Sequence, residues 1–297
     1  MKHVLIKIII FLFAVNISQA QAWMTSLEIA QKLALVQNKM VLMVWEETTK
    51  YPYPVFVNNE NGKIVVIKNL FEDETISPLI WEYFVPVIVN ENQYADLYES
   101  IKGKRKLSYI DKFNDDSIKI MDANGTIINA LNYSETYQNI TTLIKKYALN
   151  TTFITPELKA YKKEQNFYST YFLASKYLDY AVFSNAEVRP NILSLYTIYL
   201  DEAKDLLEKS NDANKTILTQ RIQLLELQHY LISNKPKKVL RQLKKIKPNA
   251  TSNTSVVAFL YYTAYKILKD QSNATQWQSK ISSVNLRKAQ LIINLNY

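Results

Sequence analysis

Met40-Val41-Leu42-Met43-Val44-Trp45 is six apolar residues without interruption. A run this short, rich in β-branched and aromatic side chains, reads as a strand buried on both faces, because a half-exposed strand would alternate apolar with polar. Such a strand must be covered from two sides, so its neighbours in sequence have to supply helices and pairing strands. Upstream, Leu27, Ile29, Ala30, Leu33, Ala34 and Val36 recur at helical spacing, and Asn38-Lys39 ends the pattern. Downstream, Phe84 to Val89 (FVPVIV) is a second buried-strand pattern, preceded by a short helix predicted over Glu74 to Tyr83.

Between these two strands lie a Pro-rich turn, Tyr51-Pro52-Tyr53-Pro54, and two β-rich runs, Val55 to Val57 and Ile64 to Ile67. The intervening Asn61-Gly62 marks them as a hairpin. Beyond Val89 the spacing predicts a helix over Tyr94 to Lys102. A second hairpin follows, Ser117 to Met121 and Thr126 to Ile128 around Asp122-Ala123-Asn124-Gly125, and then an amphipathic helix from Ser134 to Ala148. This order predicts an α/β arrangement with a small mixed sheet.

From Thr155 onward the pattern is helical throughout, with segments predicted at 156–164, 167–183, 187–209, 214–233, 236–247, 254–270 and 274–283. Two stretches superimpose at an offset of 35, Tyr230 onto Tyr265 and Ile246 onto Ile281. That period is close to the roughly 34 residues of tetratricopeptide-type helix pairs. The charge balance changes at the same place. Residues 23–150 hold 13 basic and 16 acidic side chains and 151–297 hold 21 and 11, so the net charge steps from −3 to +10. Two domains, 23–150 and 151–297, are the expected division, joined near Leu149-Asn150-Thr151-Thr152.

Residues 1–22 carry Lys2 and Lys7, an apolar run from Ile8 to Val15, and Ala20-Gln21-Ala22 as a small-x-small site. The run is too short for a membrane span of roughly 20 residues, and the pattern reads as a cleaved export signal. The expected location is therefore periplasmic or extracellular, as a soluble chain.

Several chemistries are excluded by scarcity. The chain has no Cys, so thiolate zinc sites, Cys nucleophiles and CxxC exchange have no ligands or nucleophile. Its three glycines, Gly62, Gly103 and Gly125, lie too far apart for a P-loop or a dinucleotide loop. His229 is the one histidine downstream of the signal, which leaves no multi-histidine metal site. No cofactor is expected.

Trp23, the helix ending at Asn38-Lys39, the strand MVLMVW, the segment Tyr83 to Val89 and IKIMDANGTII from Ile118 to Ile128 occur in an order and spacing that resemble the thioredoxin-like domains of exported bacterial proteins. The resemblance covers residues 23–150 and implies that Ile118 to Ile128 is the strand-turn-strand at the far edge of the sheet. Two departures bear on activity. Where the family carries its CxxC, after the strand ending at Trp45, this chain has Glu46-Glu47-Thr48-Thr49-Lys50. Where the family carries a cis-proline, before Ser117, it has Asp115-Asp116. The hairpin at 55–67 then reads as an insertion at the former active site, a place where partner-binding elements are plausible.

Other candidates have ordinary explanations. Lys237, Lys238, Arg241, Lys244 and Lys245 would share one face of a helix, opposite Val239, Leu240, Leu243 and Ile246, and form a stripe able to meet an anionic surface. A solvated outer face explains them as well, and nucleic acid is not an expected partner. Tyr168, Tyr171, Tyr261, Tyr262 and Tyr265 fit either a stacking groove or interhelical packing. Glu46-Glu47, Glu72-Asp73-Glu74 and Asp115-Asp116 fit turns and first helical turns. The reading that follows is an exported, non-enzymatic protein-binding or scaffold protein, with an envelope enzyme using carboxylate or Tyr side chains as the alternative. Without a thiol to form a mixed disulfide, the chain should not accelerate insulin reduction by dithiothreitol above the uncatalysed background. Any acceleration would reveal a nucleophile of another kind.

Overall fold

The computed structural model describes residues 22–131, 138–246 and 254–297, so residues 1–21 of the expected export signal, Lys247 and the start of the helix expected at Ser134 lie outside the described residues. The chain divides into two compact units, one holding 22–125 and 138–149 and the other 126–131, 150–246 and 254–297 of the described residues. The first is a small mixed α/β unit and the second is helical. Among the described residues no helix is long and apolar enough to cross a membrane.

In the mixed unit α1 (Leu27–Gln37) starts at Ser26, whose side chain accepts the Ile29 N–H. It stops at Asn38, which takes the left-handed conformation at φ 54° and turns the chain into β1 (Met40–Trp45). Met40 through Val44 are at most 1% exposed, as an uninterrupted apolar run requires. β1 lies in the middle of a three-stranded sheet, parallel to β4 (Phe84–Val89) and antiparallel to β5 (Lys119–Met121). Met24 extends the β4 edge through a parallel bridge to Val87. β2 (Val55–Asn58) and β3 (Ile64–Ile67) form a separate antiparallel ribbon, with Gly62 at φ 74° in its turn. Helix α2 (Ile76–Tyr83) leads straight into β4. α3 (Glu91–Ile101) opens at Asn90, which accepts the Gln93 N–H at 3.0 Å. α4 (Leu107–Asn114) was not expected from the lysine-rich sequence, although Tyr109 and Phe113 bury one face at helical spacing. α5 (Ile140–Tyr147) closes the unit and packs on β2.

Of the second hairpin expected from the sequence, the first strand and the turn are formed, and Ile127 makes a single β-bridge where a full strand was expected. β5 ends at Met121, Asp122 to Gly125 make the turn, and the chain from Thr126 to Leu131 then belongs to the helical unit. Specific bonds hold it there. Thr126 Oγ1 and Tyr199 Oη share a hydrogen bond of 2.9 Å, and the buried Asn191 amide donates to the Ile128 carbonyl at 3.1 Å. Ile127 and Ile128 are fully covered.

The helical unit runs α6 (Thr155–Lys163), α7 (Phe167–Phe183), α8 (Arg189–Lys209), α9 (Lys215–Ile232), α10 (Pro236–Leu243), α11 (Thr254–Ile267), α12 (Gln271–Gln278) and α13 (Ser283–Leu295). α13 was not expected, and the basic helix ends at Leu243 where 247 was expected. Arg189 clamps the turn between α7 and α8 by donating to the Ala181 and Ser184 carbonyls. The core is rich in tyrosine: Tyr177 stacks on Tyr199 at 5.6 Å, Tyr161 meets the same ring edge-on, and Tyr161 donates to Glu202.

The offset of 35 is visible in the backbone. α9 closes with Lys235 N–H on the Tyr230 carbonyl and Asn234 at φ 53°. α11 closes with Asp270 N–H on the Tyr265 carbonyl and Lys269 at φ 62°. Both are left-handed caps of the Schellman type, each followed by an eight-residue helix. A lysine in this conformation costs about 1 kcal/mol relative to glycine. Lys269→Gly should therefore stabilise the helical unit by about 1 kcal/mol and Lys269→Val should destabilise it by a similar amount. Trp277, the tryptophan of this unit, stacks on Tyr261 at 4.2 Å and its fluorescence during urea unfolding would check both changes.

Candidate functional site

In the mixed unit the strongest electrostatic feature is an ion cluster around Asp115. Lys119 lies on β5 opposite Met43 and is 1% exposed; its Nζ is 3.1 Å from the Asp115 carboxylate and also donates to the Asp115 carbonyl. Lys112, at the end of α4 and 7% exposed, reaches the other carboxylate oxygen at 3.2 Å and donates to Ser117 Oγ. Ser117 closes the ring with its N–H and O–H on Asp115. Burial alone would raise the Asp115 carboxyl, but the Ser117 hydrogen bonds and the two lysines outweigh it and hold it below the usual carboxylate range. Burial pushes the Lys119 ammonium down to about 8, against the pull of Asp115.

An aromatic stack borders the cluster. Tyr94 lies between Trp45, at 5.1 Å, and Phe113, at 4.4 Å, and donates to the Phe113 carbonyl. Tyr53 donates to the Asp116 carbonyl at 2.9 Å. Burial and then the Asp115 charge raise both phenols, Tyr94 to about 12 and Tyr53 further. The Asp115-Asp116 pair is thus one half ion-cluster centre and one half turn backbone. With its lysines enclosed, the cluster locks the end of the sheet, and the Asp115 carboxylate is its solvent-facing member. The sequence did carry a signal for it, a lysine inside the apolar alternation Ile118-Lys119-Ile120-Met121.

The remaining carboxylates cap backbone or stay in solvent. Asp73 accepts from the Thr75 and Ile76 N–H groups, and Glu47 pairs with Lys50 on an exposed turn. His229 packs edge-on to Tyr196 at 5.0 Å, and burial followed by Lys235 lowers its basicity. Among the described residues no group of three or more His, Cys, Asp or Glu side chains could hold a metal ion. Of the five basic candidates, Lys237 and Arg241 are exposed on α10, and Lys244 is exposed just beyond its end. Lys238 is drawn over the Tyr230 ring at 3.7 Å, and Lys245 lines a polar cleft with Lys215, Gln223, Glu226, Tyr230 and Gln242. Four of the five are thus exposed, and Lys238 is half-covered at the Tyr230 ring. Tyr261 and Tyr262 serve packing, Tyr168 donates to Asp212 at 3.0 Å, and Tyr171 stacks on Phe167.

The helical unit also carries an apolar groove of about 570 Å³ lined by Phe153, Val182, Phe183, Val284 and Leu291. Phe183 is 61% and Val284 73% exposed. Side chains of this kind are normally buried, and here several of them meet at one concavity. The rim is charged: Lys288 pairs with Asp179, while Arg287 makes no ion pair among the described residues. Sequence reasoning missed the groove because α13, which supplies one wall, was not expected.

The ion cluster generates a pH signature. Lys119 titrates near 8 when folded and near 10.5 when unfolded, so between those values the unfolded chain binds more protons and stability rises with pH, by on the order of 3 kcal/mol at most. Above pH 10 the raised Tyr94 and Tyr53 act oppositely, since the unfolded phenols ionise first. Urea unfolding followed by tryptophan fluorescence in a Trp277→Phe background should show a stability maximum of the mixed unit near pH 10. Lys119→Met should abolish the rise below it. No protein-family model matches the chain, and neither a curated protein nor a solved structure is found that matches it.

Proposed function

We propose that the chain is an exported, non-catalytic binding protein, a thioredoxin-like module without redox groups joined to a helical-repeat domain that grips another polypeptide. The fold part of this reading is supported by the sheet order Met24, β4, β1, β5 with parallel pairing up to β1 and antiparallel pairing after it. Beyond β5, Ile127 makes a single bridge where a full strand was expected. The repeat part is supported by the twin caps 35 residues apart.

The observation that carries the binding function is the groove around Phe183 and Val284. It has the dimensions and composition of a helix-receiving groove, apolar at the floor and charged at the rim. An amphipathic helix with an acidic residue placed for Arg287 fits it. An enzymatic reading finds less support, because the groups whose ionisation is shifted, Lys119, Asp115, Tyr53, Tyr94 and Tyr196 among them, line neither this groove nor the polar cleft beside Lys245.

The test is site-specific photo-crosslinking in cells that produce the full chain. A benzophenone side chain at position 284 should yield discrete polypeptide adducts, and the same group at position 107, an exposed leucine of the mixed unit, should not. Phe183→Asp should reduce the adducts about tenfold or more, as expected of a central apolar anchor, and Arg287→Glu should weaken them. Adducts from position 284 that are indifferent to both substitutions, or none at all, would remove the groove as the binding surface.

A further inference from the structure

The β2–β3 ribbon carries a surface that the groove does not explain. Phe56 N–H bonds to the Gln138 carbonyl and Asn58 N–H to Thr141 Oγ1, both away from β3. In the observed register, Val55 opposite Ile67 through Asn58 opposite Ile64, this leaves Val55–Ile67 and Val57–Val65 as the hydrogen-bonded pairs. The N–H and C=O groups of Ile64 and Val66 therefore point outward, and among the described residues nothing meets them.

The side chains of this edge are equally uncovered. Ile64 is 64%, Val66 57% and Val65 41% exposed, three consecutive β-branched residues in solvent. A free edge of this composition is a template for another strand. Which strand it accepts is decided by its ends. Lys63 and Lys68 bracket β3, both are exposed, and neither has an ion pair among the described residues. No acidic residue occurs between Glu60 and Glu72. Two copies paired antiparallel through this edge would bring Lys63 of each to the end that holds Lys68 of the other, four cations with no anion between them. Self-pairing is opposed, and a strand with acidic ends is favoured.

We propose that the outer edge of β3 is a strand-addition site for an extended segment of a partner protein, with β-branched residues at its centre and an acidic residue at each end. The segment adds antiparallel to β3, exchanges main-chain hydrogen bonds with Ile64 and Val66, and sets its two carboxylates against Lys63 and Lys68. Because those lysines lie five residues apart, the matching acids also lie five apart and on opposite faces of the added strand.

The probe is a fluorescein-labelled peptide, SEVTVTES, titrated with the full-length protein and read by fluorescence anisotropy at low and physiological salt. The protein should bind it, and bind the lysine analogue SKVTVTKS at least about tenfold more weakly. Lys63→Glu/Lys68→Glu should reverse that preference. Val66→Pro removes an outward N–H without touching the β2 ladder and should abolish binding of both peptides. Phe183→Asp, in the helical unit, should leave the peptide titration unchanged, which separates failure of this site from failure of the groove. Absence of binding by SEVTVTES, equal binding of the two peptides, or a charge-reversed protein with unaltered preference would overturn the proposal. So would a concentration-dependent dimer of the unmodified protein that Val66→Pro dissolves, since the edge would then belong to a second copy.

Discussion

Two-sided burial of β1 is the condition on which the mixed unit rests. Five consecutive residues with essentially no solvent contact can be accommodated only where strands pair on both edges and helices cover the sheet. β4 and β5 supply the edges, and α1 packs on both β1 and β4. A sheet of only three strands leaves its edge strand close to the boundary of the unit. That is why a buried lysine can open β5, provided that Asp115 stands at its ammonium and Lys112 and Ser117 complete the ring. Truncating Asp115 would leave two enclosed cations facing one another, a more costly arrangement than the absence of the whole cluster.

Elements carrying a strong period were legible in the sequence. The apolar runs at Met40 and Phe84, the Asn61-Gly62 hairpin and the long helices of the second unit all appear where periodicity and turn chemistry place them. The failures have physical causes. Thr126-Ile127-Ile128 has strand composition but makes only a single bridge, at Ile127, and its bonds to Tyr199 and Asn191 span more than sixty residues, a range that no local pattern encodes. α4 and α13 were hidden by polar residues that outnumber the few apolar ones on their buried faces. The groove followed α13 out of view. For the basic residues, helical spacing assigns a face but cannot foresee that Lys238 lies over the Tyr230 ring or that the helix stops at Leu243.

A division of labour follows from composition. Lacking thiols and a histidine cluster, the protein has spent its polar chemistry on internal fastening: phenol to carboxylate, amide to carbonyl, guanidinium across a helix turn. What remains on the outside is apolar surface bounded by charge, at the groove of α7 and α13 and at the edge of β3. Such surfaces favour recognition by shape and sign, and this is the common ground of the two binding proposals.

The paired caps at Asn234 and Lys269 have a mechanical consequence. Two helices end in the same left-handed turn, 35 residues apart, each with an eight-residue helix beyond it. Under tension a helix unravels from its ends, so these turns are two joints of one geometry at which the helical unit would begin to give, one step at each. The left-handed residues at the joints set where each step begins, and the strain held at Lys269 makes its joint the weaker of the two.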